Sequence, residues 1–171
     1  SMVGLLPLCA STIFEPETLT NYPKLRELIA LFQERHPEVL AQVAPTAEGY
    51  SGYGGRRLLS PLSKKRLERV LGYLLDENEF LSPYGIRALS KFHAQHPYLF
   101  NVHGEEYRVD YLPAESNTGM FGGNSNWRGP VWMPVNAMII RALLNFYLYY
   151  GDNFKIECPT GSGKLMNLFE V

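Results

Sequence analysis

Gly122-Gly123-Asn124-Ser125-Asn126-Trp127-Arg128-Gly129-Pro130-Val131-Trp132-Met133-Pro134-Val135-Asn136 stands immediately before the strongest helical pattern of the chain. These fifteen residues hold two Trp, one Arg, three Asn, three Gly and two Pro. The Gly and Pro positions imply a backbone held in particular turns. The indoles supply flat faces, the Arg a rigid fork of donors, and the Asn side chains paired donors and acceptors. That inventory suits a neutral, ring-shaped, hydroxyl-rich ligand, whose apolar faces stack on indole while its hydroxyls bond Arg and Asn. The competing reading is a Gly-rich connection whose Trp residues plug a core. Composition alone favours neither.

The helical pattern that follows Pro134 has Val135, Met138, Ile139, Ala142, Leu143, Phe146, Tyr147 and Tyr150 at helical spacing, and Gly151-Asp152 ends it. It is apolar nearly all round, Arg141 and Asn145 excepted, so burial on most sides is expected. Two amphipathic segments precede it. One runs from Pro23 to His36, with Leu25, Leu28, Ile29 and Phe32 as its stripe. The other runs from an N-cap at Ser63 to about Glu79, with Leu67, Val70, Leu71, Leu74 and Leu75. Between Glu79 and Pro134 only short pieces read as strand, Tyr98 to His103 and Glu106 to Tyr111, forming a hairpin about His103-Gly104. A connection this long inside a compact domain is usually functional. Helices joined alternately by short and long loops, with no strand-rich region for a central sheet, predict an all-α fold.

The chain has 171 residues, 46% of them hydrophobic, enough for one domain with a sizeable core. Its net charge of -1 offers no field for nucleic acid or an anionic membrane surface, and neither is an expected partner. No apolar run approaches the length of a membrane-spanning helix. Cys9 and Cys158 make neither a disulfide framework nor a metal-site spacing, which favours a reducing compartment, and the expected location is cytoplasmic. The opening Ser1 to Ala10 reads as a core segment, and the helical pattern from Lys164 to Val171 stops within about two turns. Both ends are therefore expected to be cuts, and the chain a segment of a longer one.

Three tempting motifs fail on their chemistry. Thr160-Gly161-Ser162-Gly163-Lys164 lacks the first Gly of a phosphate loop, where Cys158 stands, and has Leu165 where a Mg²⁺-binding hydroxyl belongs; Gly161 or Ser162 is instead expected to start a last helix. The Gly-rich Tyr50 to Gly55 follows no strand. His93, His96 and His103 have no carboxylate completing a ligand pattern, so no metal is expected. Hydrolysis of a sugar bond needs two carboxylates flanking it. Glu79, Glu105, Glu106, Asp110, Glu115 and Glu157 occupy the loops, and nothing around them marks one as acid and another as base.

Gly54-Gly55-Arg56-Arg57-Leu58-Leu59, Leu81-Ser82-Pro83-Tyr84-Gly85-Ile86-Arg87-Ala88-Leu89-Ser90 and the Trp127-Arg128-Gly129-Pro130-Val131-Trp132 stretch together resemble glycoside hydrolase family 63. So does the tail from Tyr150 to Gly163. The resemblance covers nearly the whole chain and is weakest between residues 11 and 48. It implies part of an (α/α)6 toroid with long loops at the active-site end, spanning 1–171 as a segment of the catalytic domain. It also implies inverting hydrolysis of α-linked glucosides or mannosides without a cofactor. An acid protonates the leaving oxygen and a base activates water, the pair standing roughly 6.5–9.5 Å apart. In the family the acid, an Asp, precedes the part matching Met2 and the base, a Glu, follows the part matching Val171. No catalytic residue is therefore expected within this segment, and the isolated segment is expected to be inactive.

The substrate-binding set is Tyr84, Arg87, Asn126, Trp127, Arg128, Trp132 and Asn136. The two Trp would stack on sugar faces, Arg87 and Arg128 would hold hydroxyls or orient a carboxylate, and Tyr84, Asn126 and Asn136 would add hydrogen bonds. Asn126 and Asn136 enter by proximity to the motif and the others by matching it. The expected partners are an oligosaccharide or small glycoside and the rest of the protein's own catalytic domain. The alternative is a non-catalytic helical module that binds a glycan or a protein.

Overall fold

The computed structural model describes residues 1–40, 51–113 and 130–171. Five α-helices lie among them: α1 (Pro16–Asn21), α2 (Pro23–Arg35), α3 (Pro37–Leu40), α4 (Lys64–Leu74) and α5 (Met133–Tyr150). Eight strands accompany them: β1 (Thr12–Phe14), β2 (Arg57–Leu59), β3 (Leu81–Ser82), β4 (Gly85–Ile86), β5 (Tyr98–Val102), β6 (Glu105–Val109), β7 (Lys155–Glu157) and β8 (Leu165–Asn167). They pair in order as four antiparallel two-stranded sheets, β1 with β2, β3 with β4, β5 with β6, and β7 with β8.

The all-α expectation is therefore wrong: the described residues are helices interleaved with four small sheets. Strands of two to five residues leave too few positions for an alternating pattern to register in the sequence. The sharpest case is the tail, where a last helix was expected after Ser162 or Gly161. Gly161 and Gly163 both take positive φ there, and the Glu157 carboxylate accepts from the Gly161 N–H at 2.7 Å. Cys158 N–H donates to the Lys164 carbonyl, the chain reverses, and Leu165–Asn167 runs back along Lys155–Glu157 as β8.

Other expectations meet the structure more closely. Ser63 caps α4, its hydroxyl accepting from the Arg66 N–H. That helix stops at Leu74 instead of Glu79, because the Asp76 carboxylate accepts from the Asn78 N–H at 2.7 Å and bends the chain away. The hairpin about His103-Gly104 is present, with φ of 51° and 87° at the two turn residues. Gly151 ends α5 with φ 62°.

The core lies between α5, α4 and a 3₁₀ helix at Met2–Cys9. Leu67, Leu71 and Leu74 of α4 meet Val135, Ile139, Ala142, Leu143 and Phe146 of α5, with Met2, Leu5 and Leu8 from the 3₁₀ helix and Leu58 from β2. α5 thus buries one face. Met133, Ile140, Leu144 and Leu148, four positions on one stripe, stay exposed along the other, contrary to the expectation of burial on most sides. α2 has no buried residue, and its Leu28 and Phe32 face outward.

Tyr150, at the end of α5, has its phenol pushed up to about 12, first by burial and then by the neighbouring Tyr149 and Glu68. The ionised form is the one disfavoured in the fold, so its contribution is fully present below the ordinary value of 10 and is lost as pH rises through about 12. Melting temperature is expected to fall across that window, and Tyr150→Phe to flatten the fall. An identical slope in the variant would remove Tyr150 from the account.

Candidate functional site

The two most specific motifs of the sequence meet at the first turn of α5. The Ser82-Pro83-Tyr84-Gly85 turn closes a two-residue hairpin with Leu81 opposite Ile86 and Ser82 opposite Gly85. The Ser82 hydroxyl donates to the Gly85 carbonyl at 2.7 Å and accepts from the Tyr84 N–H at 3.2 Å, so one side chain fastens the turn from inside. Pro83 presets the turn, and Gly85 adopts φ 125°, a conformation that L side chains rarely take. Tyr84 stands at the tip, 84% exposed.

From this hairpin the chain runs beside the end of the Trp-Arg-Gly-Pro-x-Trp stretch. Arg87 bridges Val131, and the Ala88 N–H donates to the Pro130 carbonyl at 2.8 Å. Asn136, buried in the first turn of α5, completes the junction. Its Oδ1 accepts from the Ile86 N–H at 2.7 Å, and its Nδ2 donates to the carbonyls of Ile86 at 3.2 Å and Trp132 at 3.0 Å. Trp132 is partly buried against the core.

Arg87 is itself buried, and its donors are directed at protein. Nε donates to the Tyr111 hydroxyl at 3.1 Å, and one terminal nitrogen donates to the carbonyls of Glu77, Glu79 and Leu81. The guanidinium also lies 5.9 Å from the centre of the Tyr111 ring. A fork of five donors is suited to gathering several carbonyls at once, as a Lys ammonium is not. The loop after α4, the Tyr84 hairpin and Tyr111 are thereby tied together.

The sequence-predicted set thus divides. Tyr84, Arg87, Trp132 and Asn136 belong to one junction of hairpin and helix, Tyr84 exposed and Arg87 and Asn136 engaged with the backbone. Asn126, Trp127 and Arg128 lie outside the described residues, as does the carboxylate candidate Glu115. Tyr111 was missed. It stands just beyond the hairpin β5–β6, and nothing in its local sequence distinguishes it from the other tyrosines. Ser82 could have been found, since a Ser before Pro-x-Gly has the turn chemistry that its hydroxyl serves here.

Of the loop carboxylates, Glu79 accepts from the Ser90 hydroxyl, Glu157 closes the β7–β8 turn, and Asp110 pairs with Arg108 at 2.9 Å. Glu105 accepts from the Tyr107 hydroxyl. Among the described residues no three His, Cys, Asp or Glu side chains are grouped for a metal. Among them, too, no helix is long and apolar enough to cross a membrane.

A family model described as the glycosyl hydrolase family 63 C-terminal domain matches residues 56–158, the span holding the hairpin, Arg87, Asn136 and the whole of α5. The chain belongs to this family. Similarity to a curated protein extends along the whole chain. An uncharacterized protein of Saccharomyces cerevisiae, YMR196W, is 52% identical over 172 aligned positions, taking in 100% of this chain and 16% of that protein. A Schizosaccharomyces pombe protein named "Probable mannosyl-oligosaccharide glucosidase" is 33% identical over 91 positions, 53% of this chain and 8% of that protein. The chain therefore spans less than one fifth of the length of either relative. No solved structure matches it.

Proposed function

We propose that this family 63 chain supplies substrate-pocket walls to an inverting glycoside hydrolase acting on α-linked glucosides or mannosides. The observation that carries this reading is the junction at α5, where the Tyr84 hairpin and the Pro130–Trp132 backbone are fastened to one helical turn. Tyr84 and Trp132 then serve as walls, one offering a hydroxyl and the other an indole face, with Asn126, Trp127 and Arg128 completing them. Arg87 and Asn136 serve the same pocket from beneath. Family membership and the name of the fission yeast relative support a sugar as the ligand.

The acid and the base of the reaction are proposed to come from outside residues 1–171, in the rest of the catalytic domain. That remainder is also the proposed partner of the exposed α5 stripe, since apolar side chains in a row at helical spacing are suited to packing against a further element. No cofactor is needed, because acid and base carboxylates suffice for inversion.

The test is hydrolysis by the full-length protein, followed by NMR of the first sugar released from α-linked glucosides and mannosides. Release of the β-anomer is expected. Release of the α-anomer would overturn inversion, and the absence of hydrolysis of every α-linked glucoside and mannoside tried would overturn the glycosidase reading.

A further inference from the structure

We propose that Asn136 is a positioning residue, whose amide sets the Tyr84 hairpin and the backbone of Trp132 in one fixed relation to each other. The role rests on the pocket-wall reading of Tyr84 and Trp132 above. A core-facing position on a largely apolar helix is an expensive place for an amide unless every polar atom is met. At Asn136 they are met, among the described residues, by backbone. The Ile86 N–H and carbonyl are both engaged, in the manner of a neighbouring strand, and the second amide hydrogen reaches the Trp132 carbonyl one turn back. The two N–H donors are thus used, and the amide orientation is dictated by the Ile86 N–H, which needs an acceptor.

The neighbouring glycine fits the same role. A Cβ on Gly85 would lie 2.9 Å from the Asn136 Oδ1 and 3.1 Å from the Val131 Cγ1, so the absent side chain is what lets the amide reach the hairpin. A side chain with its donors committed in this way acts on a sugar through the two walls it holds and not by touching it. Moving it should loosen ligand binding without disabling the reacting groups. It should therefore raise KM with kcat nearly unchanged, as for removal of interactions made equally in ground and transition states.

The experiment uses the full-length protein with 4-nitrophenyl α-D-glucopyranoside and 4-nitrophenyl α-D-mannopyranoside as probes, and amide hydrogen exchange as a readout independent of activity. Asn136→Ala is expected to speed exchange of the Leu81–Ile86 hairpin about tenfold or more while leaving α4 unchanged, and to raise KM about tenfold with kcat altered by less than about threefold. Asn136→Asp places a carboxylate against two carbonyl oxygens. Near pH 8 it should behave like the Ala variant, and near pH 5 protonation restores a donor and should bring exchange (corrected for its intrinsic pH dependence) and KM back toward the parent values. If Asn136→Ala does not fold, that pH-dependent recovery decides alone.

Unchanged hairpin exchange in Asn136→Ala overturns the proposal. So does a fall in kcat at constant KM, which is what loss of folded protein alone would give, and so does an Asp variant without recovery at low pH. Absence of hydrolysis by the unsubstituted protein of every α-linked glucoside and mannoside tried, these two probes included, overturns the glycosidase reading and this role with it. That result is read before any variant is made, and so is separate from failure of the variants.

Discussion

Arg87→Met is expected to lower the stability of the protein by about 3 kcal/mol, seen as a lower denaturant midpoint at unchanged slope. The guanidinium is 9% exposed and donates to the carbonyls of Glu77, Glu79 and Leu81 and to the Tyr111 hydroxyl. Met fills much of the same volume but donates nothing, so the carbonyls left without another donor lose both their partner and their water. The Glu79 carbonyl keeps the Lys91 N–H at 2.9 Å, which holds the loss below a sum over all contacts. Arg87→Lys should recover only part of it, since one ammonium cannot span the fork. A sugar-contacting Arg87 would behave oppositely, with stability within about 0.5 kcal/mol of the parent and sugar binding lost. That result would refute the bracing role.

Phe146→Ala should have a larger effect, about 4 kcal/mol. Phe146 is 0% exposed at the centre of the inner face of α5, in one cluster with Met2, Leu8, Leu58, Leu67 and Leu71. These neighbours come from three other elements, so no single one can move to close the cavity that truncation leaves. Leu144→Ala, one stripe away on the exposed side, is the control and should fall within about 1 kcal/mol in the isolated chain. Equal losses at the two positions would mean that the inner and outer faces of α5 have been exchanged.

The two predictions rest on different kinds of legibility. Phe146 was readable as core because its neighbours at helical spacing are apolar, and a period of 3.6 on a long segment is a strong signal. Arg87 was readable as special, through the Ser-Pro-Tyr-Gly-x-Arg motif, but what it bonds was not. Its partners are carbonyls six to ten residues earlier and a hydroxyl 24 residues later, and backbone carbonyls carry no residue identity for a reader to find.

Local chemistry by itself determined α4 and its Ser63 cap, α5 and its Gly151 stop, the His103-Gly104 hairpin, and the family, through motifs that persist as residue strings. Only the tertiary structure decided that the tail from Leu165 is a strand, since Lys155–Glu157 must first lie alongside it. It alone decided that α5 buries one side and leaves the stripe of Met133, Ile140, Leu144 and Leu148 exposed. A helix apolar nearly all round could bury most of its sides, and only packing by α4 and the Met2–Cys9 segment limits burial to one. It also decided that Asn136, placed near the motif by sequence, spends its amide on Ile86 and Trp132. The physical reason is common to these cases: a periodic pattern or a turn residue acts on near neighbours, whereas strand pairing, helix facing and the partners of a buried amide are settled by atoms that only the folded chain brings into reach.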